Sequence, residues 1–388
     1  MADPVAFTPA KPLNILHLHS TFSLGGKEAR AVNLMNRFGD RARHTILSAM
    51  PDELGARAAI DPAIVVQFPV DAPLLQGKPG ADRYRDLARY MEDFDLVLTY
   101  NWGAMDGVGA HRLFSRLMKL PPLIHHEDGF NADETDRLNP KRNLFRRLML
   151  PTAKALVVPS RRLETIARKV WRQPEARIHR IANGIDVPAY AGESVSDAIP
   201  GLARRPGDVI IGTLAGLRAV KNLPRLVRAV ASLPVELRAR VQLVIVGEGP
   251  ERAKILAEAE RHGIADRTLL PGFLPAPHRY AGLFDIFALS SDSEQFPVSL
   301  IEAMAAGLPA VSTGVGDVAQ IVAGENIPFI TPLGNEPAFA GALRRLVEEE
   351  ALRNRIGTAN QAKALAEYDQ EEMVARYAEL YGIPSVTV

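Results

Sequence analysis

Two carboxylates, Glu294 and Glu302, stand eight positions apart in the stretch DIFALSSDSEQFPVSLIEAMAAGLPAVST, residues 285 to 313. On one helix that separation would be ~12 Å along the axis. Paired carboxylates that share one glycosidic bond stand ~5–9.5 Å apart, so these two suit different parts of one long ligand, each accepting hydrogen bonds from hydroxyls. Taken singly, they would read as a solvated turn residue and a surface position on an amphipathic helix. Cations that could meet a phosphate lie in Gly216-Leu217-Arg218-Ala219-Val220-Lys221-Asn222, where Arg218 and Lys221 sit between an apolar strand run and a helical pattern and could take up charge on a leaving diphosphate. The pair Gly25-Gly26, followed by Lys27 and Glu28, would let backbone N–H groups approach a phosphate without Cβ interference.

These residues need positioning elements, and the pattern supplies them. Ile286 to Leu289 reads as a short buried strand and Ser290 to Gln295 as a polar turn. A helix then begins at about Pro297 and stops at Gly307, before the apolar Ala310 and Val311. The first-turn N–H groups of such a helix are unpaired, and its dipole favours negative charge there. Further apolar runs fall at 13 to 20, 44 to 49, 64 to 68, 96 to 100, 123 to 126 and 156 to 159 in the first half. In the second half they fall at 209 to 214, 242 to 246 and 268 to 270. Helical stretches lie between most of them, notably near 223 to 233, 251 to 262 and 371 to 381. Alternation of this kind implies largely parallel sheets with helices on both faces and ligands at the carboxyl ends of the strands. Asn101, Trp102 and the group His125-His126-Glu127-Asp128 stand at such ends. Asp93-Phe94-Asp95 has a metal-binding form, but directly before the strand run at 96 it reads better as a turn with a strand cap.

The segment Glu294-Gln295-Phe296-Pro297, four residues, then Glu302-Ala-Met-Ala-Ala-Gly-Leu-Pro309 resembles the signature of family-4 glycosyltransferases of the GT-B fold. That resemblance implies two doubly wound Rossmann-like domains facing across a cleft, and retaining transfer from a nucleotide-sugar without a metal or other cofactor. It places Glu302 on the ribose hydroxyls and Glu294 on the sugar. Phe296, Pro297 and Val298 lie along the donor, Gly247, Gly272 and Phe273 line the nucleoside pocket, and Gly25 and Gly26 sit over the diphosphate. Lys221 matches the family lysine. The family arginine falls on Gly216, and Arg218 stands two residues away. Pro297 replaces a glycine whose N–H binds a sugar hydroxyl, and proline has none. His125 or His126 would face the sugar from the first domain. Asn183-Gly184-Ile185-Asp186 resembles the element that closes that domain, and the breaker-rich residues 188 to 207 read as a hinge. Domains are thus expected at 1 to 187 and 188 to 370, with 371 to 388 a helix crossing back.

Composition bounds the function. A chain of 388 residues, 47% hydrophobic and 23% charged, is expected to form about two domains. No apolar run approaches the ~18 residues of a membrane span. The start Met1 to Pro4 is no secretory n-region, and the absence of cysteine excludes a disulfide framework. A cytoplasmic location fits. Between residues 137 and 180, thirteen Lys or Arg face two acids, Glu164 and Glu175. That run is either a solvated face or a contact to an anionic membrane surface, such as the inner face of the plasma membrane, or to a phosphorylated lipid, and no zinc, RNP-like or zipper pattern beside it speaks for nucleic acid. The expected partners are a UDP- or GDP-sugar and a sugar or lipid-linked acceptor for a surface polysaccharide or glycolipid. A nucleotide-sugar epimerase of the same architecture, or a non-catalytic membrane- or polymer-binding protein, are the other two readings.

Overall fold

The computed structural model describes residues 11–23, 25–77, 79–130, 134 and 138–384. The chain divides into two compact units, one of residues 1–182 with 373–388 and one of residues 183–372.

The first unit is built on a parallel sheet of seven strands. In chain order its elements are β1 (Leu13–His19), α1 (Gly26–Phe38), β2 (Ala42–Ser48), β3 (Val66–Gln67), α2 (Ala81–Met91), β4 (Leu96–Tyr100), α3 (Met105–Phe114), β5 (Leu123–His126), α4 (Pro140–Met149), β6 (Ala155–Val158), α5 (Arg161–Lys169) and β7 (Ile178–Arg180). The strands lie in the order β3-β2-β1-β4-β5-β6-β7. Burial on both faces explains why they read as near-continuous apolar runs. Ile15, Leu98 and Ile124 pack on one side with α1, and Leu16, Leu18 and Val97 on the other with α2 and α3. Asp95 closes the turn before β4, its carboxylate accepting from the Asn14 amide at 2.9 Å, so Asp93-Phe94-Asp95 is the strand cap its position suggests.

The second unit carries β8 (Val209–Leu214), α6 (Leu223–Ala231), α7 (Val235–Arg238), β9 (Val241–Val246), α8 (Arg252–Arg261), β10 (Thr268–Gly272), β11 (Ile286–Leu289), α9 (Val298–Ala305), β12 (Ala310–Thr313), α10 (Val318–Ile321), β13 (Ile330–Thr331), α11 (Glu336–Glu348) and α12 (Glu350–Glu367). Its six strands run parallel in the order β10-β9-β8-β11-β12-β13. The last helix, α13 (Gln370–Tyr381), puts Met373, Tyr377, Ala378 and Tyr381 into the core of the first unit. The edge strands β7 and β13 have three and two residues, too short to register as periodic runs.

The chain parts just before Asn183-Gly184, not at 187. The residues of that element lie in the second unit, where Ile185 bridges Asp369 and a Cβ on Gly184 would come within 2.7 Å of the Asp369 carbonyl. Residues 188 to 207, expected as a hinge, are instead packed onto the second unit. Ile199 is buried, Val195 donates to the Arg279 carbonyl, and the Ala203 carbonyl accepts from Gln242. Their prolines and glycines mark successive turns of an anchored segment, a role that breaker density alone does not separate from a linker.

Candidate functional site

In the second unit the strand order reverses between β8 and β11, and ligands of open parallel sheets bind outside the carboxyl ends of the strands at such a point. The loop after β8 carries Arg218 and Lys221, and the loop after β11 carries Glu294. The two are tied together. The Asp292 amide donates to the Val220 carbonyl at 2.8 Å, and the Ser290 hydroxyl donates to the Lys221 carbonyl at 3.0 Å. Asn222 takes a left-handed conformation, φ 42°, which asparagine tolerates, and its amide donates to Asp292. At the centre the Lys221 ammonium meets Glu294 Oε1 at 2.5 Å, and the Ser291 hydroxyl donates to the same oxygen at 2.6 Å. Both charged side chains are mostly but not wholly shielded, at 16% and 11% exposure. The pair is therefore preorganised yet open to a ligand. Arg218 is exposed, and its guanidinium makes no hydrogen bond among the described residues.

Behind this pair the loop is braced by residues that sequence reasoning missed. Arg225 on α6 is buried, donates to the Ser290 carbonyl at 2.8 Å and pairs with Asp292 at 2.7 Å. Gly316, φ 53°, lies so close that a Cβ there would come within 2.3 Å of the Glu294 carbonyl. A serine three residues before Glu294 was a local signal for Ser291. Arg225 and Gly316 gave none, since their contacts span tens of residues.

Helix α9 starts at Val298 with Pro297 as N-cap and no side-chain cap; the Leu300 amide donates to the Pro297 carbonyl, and the amides of Val298 and Ser299 have no side-chain cap. Phe296 lies edge-on to Tyr368 at 5.9 Å. Glu302, on α9, is partly exposed, but its carboxyl is largely withdrawn from solvent beside Tyr190 and Tyr280. Desolvation pushes its pKa up to about 7 against the opposing hydrogen bond from Tyr190. A carboxyl whose folded pKa exceeds its unfolded value costs stability as pH rises from about 4.5 to about 7, because the unfolded chain releases the proton first. Glu302→Gln keeps an acceptor for Tyr190 and removes this cost. Thermal melts should therefore show the variant more stable than the parent by about 1–2 kcal/mol at pH 8, with little difference at pH 5. Equal melting curves at pH 8 would contradict the raised value.

The loops after β8, β9 and β10 meet backbone to backbone. Gly247, φ 145°, has Ala215 O where a Cβ would come within 1.9 Å, and Gly249, φ 155°, has Leu217 O at 2.5 Å. The Gly247 amide donates to the Gly272 carbonyl at 2.9 Å. Gly272, φ 92°, faces the Glu248 carboxylate, and Phe273 beside it is 63% exposed. Gly247→Ala combines a disfavoured φ with a clash against backbone that cannot swing away. It should lower stability by about 3 kcal/mol or more, visible as an earlier unfolding transition; an unchanged transition would show that the loop can yield.

In the first unit Gly25 caps α1 without a side-chain bond and Gly25 and Gly26 are exposed, while the Glu28 carboxylate lies beside Gly25, 2.8 Å from where a Cβ would stand. The two histidines expected near the sugar are placed otherwise. His125 and His126 are both fully buried on opposite faces of β5. His126 is bonded at Nδ1 to the Thr99 carbonyl and at Nε2 to the Tyr381 hydroxyl, 2.7 Å away, and burial pushes it down to about 3, so it stays neutral. His125 bonds Thr99 Oγ1 at 2.8 Å, with Glu127 beyond it. A central strand of a covered sheet buries both faces, and neither imidazole is presented to a ligand. Part of the neighbouring loop, residues 131–133 and 135–137, lies outside the described residues.

The family described as "Glycosyl transferases group 1" matches residues 196–363, and "Glycosyltransferase Family 4" matches residues 24–188. Together they span both units. The chain belongs to the group 1 glycosyltransferases of the GT-B fold. Among curated relatives, N-acetyl-alpha-D-glucosaminyl L-malate synthase of Bacillus anthracis is 25% identical over 54% of each chain, so this glycosyltransferase spans about half the length of that relative. The N-acetylgalactosamine-N,N'-diacetylbacillosaminyl-diphospho-undecaprenol 4-alpha-N-acetylgalactosaminyltransferase of Campylobacter jejuni is 27% identical over 70% of this chain and 69% of its own. The fold agrees with that of Anabaena HepE in complex with UDP, with TM-score 0.72 or better for it and for the sucrose-phosphate synthase of Thermosynechococcus elongatus. HepE is 19% identical, and the match covers 95% of this chain and all of HepE, at TM-score 0.77. No helix among the described residues of this glycosyltransferase is long and apolar enough to cross a membrane.

Proposed function

We propose that this glycosyltransferase moves a hexosyl unit from a UDP- or GDP-sugar to a lipid-linked sugar or other precursor of a surface polysaccharide, with retention of anomeric configuration and without a metal. The observation that carries the reading is the Lys221–Glu294 pair at the switch point of the second sheet, with the Glu302 carboxyl on the following helix. In the reaction the bond from sugar C1 to the phosphate oxygen breaks with its electron pair leaving on the diphosphate, the acceptor hydroxyl oxygen bonds C1, and its proton passes to the departing phosphate. Lys221, with Arg218 free to swing in, takes up that charge. The amides at the start of α9 add partial positive charge nearby. Glu294, held by Ser291, accepts from sugar hydroxyls, and Glu302 accepts from the ribose. Gly247, Gly272 and Phe273 line the base pocket. Pro297 offers no N–H, so the first helical amide available to the sugar is that of Val298. Support for a UDP-linked donor comes from HepE, solved with UDP, and support for a diphospho-polyprenol acceptor from the Campylobacter enzyme named above. Such an acceptor places the proposed reaction at a membrane surface, on the cytoplasmic side in this reading.

The test is to incubate the protein, with chelator present, with each nucleotide-sugar alone and with a polyprenyl-diphosphate sugar. Nucleoside diphosphate and product anomer are then followed by NMR. Acceptor-dependent release with the donor's own anomeric configuration is expected. An altered nucleotide-sugar formed without acceptor, or an inverted product, would overturn the reading.

A further inference from the structure

The basic run between residues 137 and 180 divides into two kinds of surface. On the α5 side the run's two acids offset two of its cations: Arg168 lies 4.0 Å from Glu175 and Arg180 3.4 Å from Glu164. On α4, and on the end of α3 with the turn after it, the pattern differs. Residues 112–119 and 140–149 contain seven Lys or Arg and no acid. Two of the seven, Arg142 and Arg146, turn inward to Glu134 and Glu127. The other five, Arg112, Arg116, Lys119, Lys141 and Arg147, are exposed.

Large apolar side chains accompany them. Leu113 is 52% exposed, Leu117 80%, Leu144 56% and Leu148 52%. Helices α3 and α4 lie side by side, with the Phe145 ring 3.6 Å from where a Gly109 Cβ would stand. On α4 the spacing of Lys141, Leu144, Arg147 and Leu148 puts all four within about one third of the helix circumference. Scattered exposed leucines are ordinary, but four on two adjoining helices and the turn that follows α3, interleaved with five cations and no carboxylate, are not. A solvated basic face needs no leucines, and a protein partner would be expected to meet some acid on the surface. Leucines entering an acyl layer while cations meet lipid phosphates fit both halves of the pattern.

We infer that the α3–α4 surface of the first unit, centred on Leu117, Leu144 and Leu148 with Arg116, Lys141 and Arg147, docks onto an anionic lipid bilayer. This deepens the proposed lipid-linked acceptor by naming the face that meets the lipid. Docking is measured without donor or acceptor, so it can fail while the transfer reading stands, and the reverse.

The experiment is co-sedimentation of the full chain with vesicles of phosphatidylcholine alone or with about one third phosphatidylglycerol. The parent protein should bind the anionic vesicles at least tenfold more tightly, and less tightly as salt rises. Leu117→Asp with Leu144→Asp, both exposed and so tolerated by the fold, should lower binding at least tenfold. Arg116→Glu with Arg147→Glu should do the same, while Arg168→Glu should change it less than twofold. Nucleotide-sugar binding should be unchanged throughout. Three results would overturn the inference: no preference for anionic vesicles, full binding by the leucine variant, or binding to soluble heparin that matches the vesicles and ignores the leucines, which would mark a polyanion site instead.

Discussion

Lys221→Ala is expected to lower kcat by about 10²–10³-fold, the loss typical for one preorganised donor to a developing negative charge, while donor affinity falls much less. The reason is differential. In the ground state the diphosphate is already charged and partly neutralised by solvent, whereas at the transition state the departing oxygen gains charge where the ammonium is fixed. Lys221 is fixed because Glu294 and the loop bonds on both sides of the switch point hold it. The variant should fold, since the Ser291 hydroxyl at 2.6 Å still holds the Glu294 carboxylate and the side chain lost is a partly exposed one. Steady-state kinetics check the split: a large fall in kcat with KM within a few-fold. A variant with parental kcat would remove Lys221 from the chemistry.

Glu302→Ala should act in the opposite way, weakening donor binding by about 30–100-fold, equivalent to ~2–3 kcal/mol for two hydroxyl bonds to a carboxylate. Its pH dependence gives a second handle. With the free-protein pKa at about 7, roughly half of the carboxyl is protonated at neutral pH. A ribose that donates two hydrogen bonds prefers the ionised form, so donor Kd should fall as pH rises through about 7 and level off above 8. Calorimetric titration from pH 6 to 8.5 checks this. The slope should vanish in Glu302→Gln, and a parental slope in that variant would assign the proton to another group.

Much of this site was legible because it is local. Glu294, Pro297, Glu302 and Gly307 follow a strand, turn and helix whose breakers and caps stand where the chain needs them, and the structure puts α9 between Val298 and Ala305 as that pattern implies. Lys221 was placed by its position between β8 and α6. What stayed hidden depends on contacts across the sheet. Arg225 and Gly316 hold the Glu294 loop from 69 residues before it and from 22 after, counting 294 − 225 and 316 − 294. Tyr190, which bonds Glu302, lies in a segment that reads as a linker from composition alone. The burial of the two histidines was hidden for a related reason. A strand end marks where a ligand could bind, but whether His126 looks outward depends on the last helix, and Tyr381, 255 residues on, takes its Nε2.

The most direct measurement is a crystal structure of the protein with a non-hydrolysable UDP- or GDP-sugar. The account predicts the diphosphate within about 3 Å of the Lys221 ammonium, the ribose hydroxyls on Glu302 and the sugar hydroxyls on Glu294. A nucleotide bound away from the carboxyl ends of β8 and β11, leaving the Lys221–Glu294 pair and Glu302 untouched, would contradict it.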